Sequence, residues 1–225
     1  SWSGMLHPKE PSSRYVFVPK QFTYLFLLCI FIAACDTPEY KKSSSVDYAN
    51  MRPQPLDHAK GFAISRGERY DQLTLFSDNR QRDTFAVFIL LKDSSLRFPV
   101  KSNNFVLRSR PKKIASLSCV YSNMISALGH GREIAAVENL DYYSDSTILA
   151  LSGEGKIKEL ARQPEMELEQ CLLLQPDMVF SFSTGNPIND PYKRIVQAGI
   201  PMLIARDDKE ESPLARAEWI KLFGF

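Results

Sequence analysis

Residues 111–145 read PKKIASLSCVYSNMISALGHGREIAAVENLDYYSD, and this stretch decides the fold. Ile114-Ala115-Ser116-Leu117-Ser118 is a short, mostly apolar run with the length of a buried strand. Ser122 to Leu128 (SNMISAL) follows as a helix, and Gly129 suits its C-terminal cap. Ile134-Ala135-Ala136-Val137 is a second short strand. Downstream the alternation continues. Met166 to Leu174 reads as a helix stopped by Gln175-Pro176-Asp177, and Met178 to Phe182 as the next strand. Asp190 to Gln197 is helical, with Pro191 in its first turn and Gly199 beyond its end. Pro201 to Ala205 is a strand, and Leu214 to Phe223 a closing helix. Strands alternating with helices predict an α/β fold with a doubly wound, mostly parallel sheet. In such sheets ligands sit at the carboxyl ends of the strands.

Upstream the pattern changes. Residues 58–110 are β-rich: Gln72 to Phe76 and Thr84 to Leu91 are strand-like, with the polar turn Ser77–Asp83 between them. A third short strand is expected over Asn104 to Leu107, the whole forming a small antiparallel hairpin or meander. Residues 36–57 (DTPEYKKSSSVDYANMRPQPLD) are polar and aperiodic and read as a flexible linker. Before them, Phe22 to Cys35 reads FTYLFLLCIFIAAC, preceded by Lys20, Arg14 and Lys9. A basic flank, an apolar centre and small residues ahead of a cysteine have the layout of a bacterial secretory signal peptide. Ile32-Ala33-Ala34-Cys35 resembles a lipobox, whose cysteine sulfur is lipidated after cleavage. The alternatives are an uncleaved anchor, for which the run is shorter than the roughly 20 apolar residues a span needs, and a buried helix. The organisation expected is a signal over 1–34 (with the native start at Met5), lipidated Cys35 and linker over 35–57, the β-rich segment over 58–110 and the α/β lobe over 111–225. The expected location is the periplasm or cell envelope, tethered to a membrane by lipid.

The net charge of +2 and 24% charged residues describe a nearly neutral chain. No basic stripe interleaved with aromatics speaks for nucleic acid. Of the four cysteines, Cys29 leaves with the signal and Cys35 is spoken for, leaving Cys119 and Cys171, free or paired, in an oxidising compartment. The histidines are His7, His58 and His130, too few and too scattered to converge on a metal ion. There is no Gly-x-Ser-x-Gly elbow, and Ser152-Gly153-Glu154-Gly155 lacks the ending of a phosphate loop. An enzyme is therefore not expected.

Three segments, taken together, resemble a known family: Pro111–Asp145 above, ELEQCLLLQPDMVFSFSTGN (Glu167–Asn186), and AGIPMLIARDDKEESPLARAEWIKLFGF (Ala198–Phe225). They are similar to the substrate-binding proteins of iron-siderophore, haem and cobalamin ABC importers, and the closing ESPLARAEWIKLFGF looks most like the lipoprotein branch of Bacteroidetes. The resemblance implies two α/β lobes joined by a stiff helix, with the ligand between them. It also implies that Phe225 lies near the end of the first lobe, the second lobe being absent from this sequence.

The resemblance places ligand-facing residues on three loops. Ser118, Cys119, Val120 and Tyr121 follow the first strand and open a helix whose amides can meet an anionic ligand group; Ser118 and Ser122 equally suit plain helix capping. Asp141, Tyr142 and Tyr143 follow the second strand, where a flat ring can stack on a corrin, porphyrin or catecholate; a surface tyrosine pair is the plain alternative. Phe182 and Ser183 follow Met178–Phe182, and Phe182 equally suits core packing. Glu169 matches the glutamate that meets an arginine of the permease; otherwise it is a solvated helical carboxylate. The expected protein is a non-catalytic, monomeric solute-binding lipoprotein. It carries no cofactor of its own and delivers a ferric siderophore, haem or cobalamin to an ABC permease. A structural surface lipoprotein working through 58–110, and an enzyme on the same scaffold, are the rival readings.

Overall fold

The computed structural model describes residues 50–78, 80–81, 83–98, 103–162, 165–166, 168–182 and 192–225. The signal over 1–34, Cys35, the linker as far as residue 49 and Ser183 lie outside the described residues. All the described residues belong to one compact unit, 44–225.

The first sheet has five strands in chain order: β1 (Arg52–Gln54), β2 (Phe62–Arg66), β3 (Tyr70–Phe76), β4 (Thr84–Leu91) and β5 (Asn104–Leu107). The first four pair antiparallel, but β5 runs parallel to β4, with Val87 opposite Asn104 and Leu90 opposite Leu107. The expected antiparallel pairing of Gln72–Phe76 with Thr84–Leu91 is present, and only the third strand departs from the expected meander. A tight turn can only reverse the chain, whereas residues 92–103 are long enough to carry it back to the start of the sheet. Of the stretch read as linker, Arg52–Gln54 is an ordered edge strand, registered against Ile64–Arg66.

The second sheet is wholly parallel among its described strands. It comprises β6 (Ile114–Ser116), β7 (Ile134–Val137), β8 (Lys158–Glu159), β11 (Met178–Phe182) and β12 (Met202–Ala205), in the order β12-β11-β6-β7-β8. A two-stranded ribbon of β9 (Ala161–Arg162) and β10 (Glu165–Met166) precedes the third helix. The helices are α1 (Cys119–Ala127), α2 (Ser146–Gly153), α3 (Leu168–Leu174), α4 (Tyr192–Gln197), α5 (Pro213–Glu218) and α6 (Ile220–Phe223).

Strand alternation shows why the sheet needs helices on both faces. Ile114, Val137, Met178, Phe180 and Leu203 join Ile125 of α1, Ile148 of α2 and Leu222 of α6 in one core. Their neighbours Ala115, Leu117, Val179, Met202 and Ile204 join Cys171 of α3 and Ile195 of α4 in another. The fold is therefore α/β and doubly wound, as the alternation of elements predicts.

The first sheet is not a separate module. Phe62, Ile64, Leu73, Leu75, Phe88 and Leu90 share the first of those cores with the helices and the parallel sheet. Two glutamates clamp the entering chain there. Glu218 accepts the amides of Asp57 (2.8 Å), His58 (2.7 Å) and Ala59 (2.7 Å), and Glu210 those of Lys60 (3.0 Å) and Gly61 (2.8 Å). Trp219 ends α5 and breaks the single closing helix expected over 214–223. Its indole N–H donates to Glu210 (3.0 Å), and its ring lies 4.9 Å from Phe62, so burying it dictates the bend. Likewise α3 starts at Leu168 rather than Met166, because Glu165–Met166 pairs with Ala161–Arg162.

Candidate functional site

From β6 the chain winds outward through β7 to β8. It then returns to the other side of β6 and winds outward again through β11 to β12. The reversal lies between β6 and β11. Loops leaving the carboxyl ends of such neighbours diverge and leave a crevice, the usual ligand site of open α/β sheets.

After β6, Ser118 stands at the amino end of α1 in extended conformation (φ −160°, ψ 125°), yet its side chain makes no capping bond. Its carbonyl instead accepts from the Ser122 amide (2.9 Å) and the Ser122 hydroxyl (3.0 Å). Ser122 thus anchors the turn rather than capping the helix. Cys119 is half-buried and Val120 is exposed. Tyr121 is buried: its hydroxyl donates to Asp207 Oδ1 (2.6 Å) and its ring lies 5.2 Å from that of Phe223. Burial, reinforced by the Asp207 carboxylate, pushes its phenol well above the usual range.

After β7, Asn139 accepts the Asp141 amide (2.8 Å) and so caps a 3-10 turn, Leu140–Tyr142. That turn leaves Asp141 and Tyr142 exposed, Tyr142 by 53%. Tyr143 turns inward. Its hydroxyl donates to Glu138 Oε2 (2.8 Å) and lies 2.8 Å from the Ser122 hydroxyl, which in turn lies 2.8 Å from Ser116 Oγ. Burial raises the Glu138 carboxyl above the ordinary range; the Tyr143 hydroxyl and the amides of Glu138 and Cys119 oppose that rise. The Tyr143 phenol is raised too, by burial first and by its glutamate neighbour next, with Ser122 pulling the other way.

After β11, Phe182 is 49% exposed, while Ser181 beneath it is buried. After β12 come Arg206 and Asp207, the latter already bound to Tyr121.

The carboxyl edge thus gathers Ser118, Cys119, Val120, Asp141, Tyr142 and Phe182 around the reversal point, with Tyr121 and Tyr143 as buried struts below them. Ser183 lies outside the described residues. Glu169 sits elsewhere, exposed on α3, where Leu173 four residues on is also exposed. Cys119 and Cys171 are both free thiols, and burial pushes the Cys171 thiol up to about 11. Sequence reading missed Glu138 and Asp207, and gave Ser122 only a capping role. An acidic residue directly after a strand was a signal for the first, but its partners come from α1 and cannot be read from β7 alone.

Among the described residues, no group of three or more His, Cys, Asp and Glu side chains is placed to hold a metal ion. An apolar cavity of about 80 Å³ does lie between the sheets, lined by Leu73, Leu90, Ile114, Met178, Phe180 and Leu203. It is at the amino ends of β6 and β11. It is also far below the roughly 300–1,000 Å³ of small-molecule sites, so it is a packing gap.

No family model matches the chain, and no curated protein matches it. Solved structures overlap with parts of it. A periplasmic binding protein from Veillonella parvula aligns over 79% of this chain and 48% of its own, at 17% identity and a TM-score of 0.45. The periplasmic vitamin B12 binding protein of Vibrio cholerae aligns over 51% of this chain and 47% of its own, at 18% identity and a TM-score of 0.36. A periplasmic haem-binding protein from Pseudomonas aeruginosa aligns over 42% and 31%, at 21% identity and a TM-score of 0.34. The chain spans about half or less of the length of these structures.

Proposed function

We propose that this chain is the ligand-binding lobe of a solute-binding protein that captures an iron complex, haem or a cobalamin and hands it to an ABC permease. The observation that carries the reading is the exposure of Tyr142, in the turn after β7, and of Phe182, at the end of β11, on either side of β6 at the reversal point of a parallel sheet. Large rings left in water at a crevice supply flat contact area at small cost in side-chain entropy. The buried Ser116–Ser122–Tyr143–Glu138 network beneath them holds the loops in place. The resemblance of Pro111–Asp145, Glu167–Asn186 and Ala198–Phe225 supplies the ligand class, which the names of two of the overlapping structures echo. A single lobe is one wall of such a site, so binding is expected to be weak.

In this reading the cysteine at position 35 carries lipid, so that the tether raises the effective concentration of the lobe at the membrane. The exposed Glu169 is the docking contact for a basic residue of the permease. The protein works as a monomer.

The test is titration of the purified protein with cyanocobalamin, hemin and ferric siderophores, followed by tyrosine and tryptophan quenching and by visible spectra. Saturable quenching with at least one of them is expected, and it should weaken in Phe182→Ala and Tyr142→Ala. Saturation by none of them would refute the reading. Mass analysis of envelope protein should find a diacylglyceryl thioether on Cys35; an unmodified cysteine there would remove the tether.

A further inference from the structure

The connector between the two sheets, residues 108–113, reads Arg-Ser-Arg-Pro-Lys-Lys. It lies in a stretch, 103–132, that carries no aspartate or glutamate and ends on a further cation, Arg132. Arg108, Arg110, Lys112, Lys113 and Arg132 are all exposed. Among the described residues none of these five side chains forms an ion pair. The backbone beneath them is fixed. Asp177 Oδ2 accepts the amides of Lys112 (2.8 Å) and Lys113 (3.0 Å), and the Asp177 amide donates to the Lys113 carbonyl (2.8 Å).

Strand register places this connector. In the first sheet Arg52 stands opposite Arg66, Arg66 opposite Asp71, Asp71 opposite Leu90 and Leu90 opposite Leu107. The row that starts where β1 starts therefore ends one residue short of Arg108. In the parallel sheet Ile114 stands opposite both Met178 and Ile134, so Lys113 enters its amino edge beside Asp177 and Glu133. The connector ties the two rows together. The crevice with Tyr142 and Phe182 lies at the opposite, carboxyl ends of the parallel strands.

Pairing leaves this side basic. In the first row Asp71 binds Arg66 (2.9 Å) and Lys92 (2.7 Å), and Asp93 binds Arg69 (2.8 Å), so that Arg52 and Arg97 stand against Glu68. Along the amino edge Glu154 is held by Lys156 (2.6 Å) and senses Arg132, Glu133 lies 3.4 Å from His130, and Asp177 Oδ2 is filled by amides. No carboxylate is left to match the connector. Phe105 and Tyr121, the aromatic residues of 103–132, are buried, so the cations lack the stacking platform of a single-stranded nucleic-acid surface. What does lie near is set by the chain itself. Arg52 at the start of the same row follows Cys35 by seventeen residues, a length that even fully extended spans no more than about 60 Å.

We propose that this basic side rests on anionic phospholipid headgroups and so sets the orientation of the tethered lobe, with the crevice turned toward solvent. Two acyl chains are enough to hold a protein on a bilayer; the cations decide which side faces it. The inference rests on the tether given above.

The test uses the purified full chain as Cys35→Ser, which removes the acyl chains and leaves the apolar run at 22–35 common to every sample. It is mixed with vesicles of phosphatidylcholine, alone or with an equal part of phosphatidylglycerol. A cation at an anionic lipid surface is worth roughly fivefold in partitioning. The anionic vesicles should therefore be preferred at least about tenfold, and Arg108→Gln, Arg110→Gln, Lys112→Gln and Lys113→Gln together should remove most of that preference. Glutamine keeps the backbone amides that Asp177 binds. Should the variant fold poorly, salt gives the same answer on the unsubstituted patch, because screening should weaken the preference. Acetylation read by mass spectrometry reports the orientation. Anionic vesicles should shield Lys112 and Lys113, while Lys60, exposed at the other end of β2 from Arg66, stays reactive.

Equal binding to both vesicles, a preference unmoved by the substitutions and by salt, or equal shielding of Lys60 and Lys112 overturns the inference. So does release by millimolar inorganic phosphate at constant ionic strength, which would assign the cations to free phosphate. Tighter binding of polyglutamate than of the vesicles would assign them to an acidic protein and overturn it too. A bare cysteine at position 35 would remove the tether and the orientation with it, whereas failure of the vesicle test leaves the tether and the ligand titrations standing.

Discussion

Replacing Glu218 by glutamine tests how the first sheet is locked to the closing helices. Glu218 Oε2 accepts the amides of His58 and Ala59, both at 2.7 Å, and Oε1 accepts the Asp57 amide (2.8 Å) and Lys221 Nζ (2.7 Å). The side chain is 6% exposed. Burial alone would raise its carboxyl, but Lys221 and the three amides outweigh that and hold it at about 2 instead of the ordinary 4.5. At 1.36 kcal/mol per pH unit such a displacement is worth roughly 3 kcal/mol at neutral pH, and about 2 once screening by nearby solvent is allowed for. A glutamine keeps one acceptor oxygen and turns an NH2 toward the donors that the other oxygen accepted, a loss of the same size. Urea denaturation followed by Trp219 fluorescence should therefore show a loss of about 2–3 kcal/mol, or roughly 4–12 °C in Tm for a unit of this size. The sign with pH is fixed, because the folded carboxyl lies below its unfolded value. The glutamate's contribution is complete above pH 4.5 and is lost as pH falls from there toward 2. The gap between wild type and variant should close over that window. A loss below about 1 kcal/mol, or one that does not change between pH 7 and pH 3, would refute the clamp.

Tyr143→Phe takes a donor from Glu138 and a partner from Ser122, and should cost about 1–2 kcal/mol of stability with an unchanged denaturant slope; a neutral result would mean that the network is not a support. Tyr142→Ala and Phe182→Ala remove half-exposed rings, so each should leave stability within about 0.5 kcal/mol while weakening whichever probe binds; a large loss of stability instead would place the ring in the core. Glu169→Ala should weaken association with the permease and leave ligand affinity alone, read by co-purification beside a ligand titration; a shift in ligand affinity would count against a docking role.

The elements legible in advance are those whose packing is local. Ile134–Val137, Met178–Phe182 and Thr84–Leu91 have the bounds their apolar runs predict, since each crosses a core whose walls accept any well-filled strand. The illegible ones depend on distant partners. Strand β2 contains Ser65 and Arg66, too polar to announce itself, and is ordered by pairing with β3. Strand β1, in the stretch read as linker, exists because Ile64–Arg66 offers it an edge. The parallel setting of β5 depends on a crossover whose path has no periodicity to read. At the site, the loops could be foreseen from strand ends, and Tyr142 and Phe182 are exposed there. The inward turn of Tyr121 and Tyr143 could not, because their hydroxyl partners, Asp207 and Glu138, arrive from other strands.

The same device recurs at several places among the described residues where backbone amides are bared. Glu218 fills the amides of 57–59, Glu210 those of Lys60 and Gly61, Asp177 those of Lys112 and Lys113, and Asp145 that of Ile148. Each is a carboxylate of the chain placed where a foreign anion would otherwise fit, and each spares the fold an unpaired donor. A helix opening after a strand at a sheet's reversal point is therefore insufficient to assign an anion site, because the vacancy has to be shown as well.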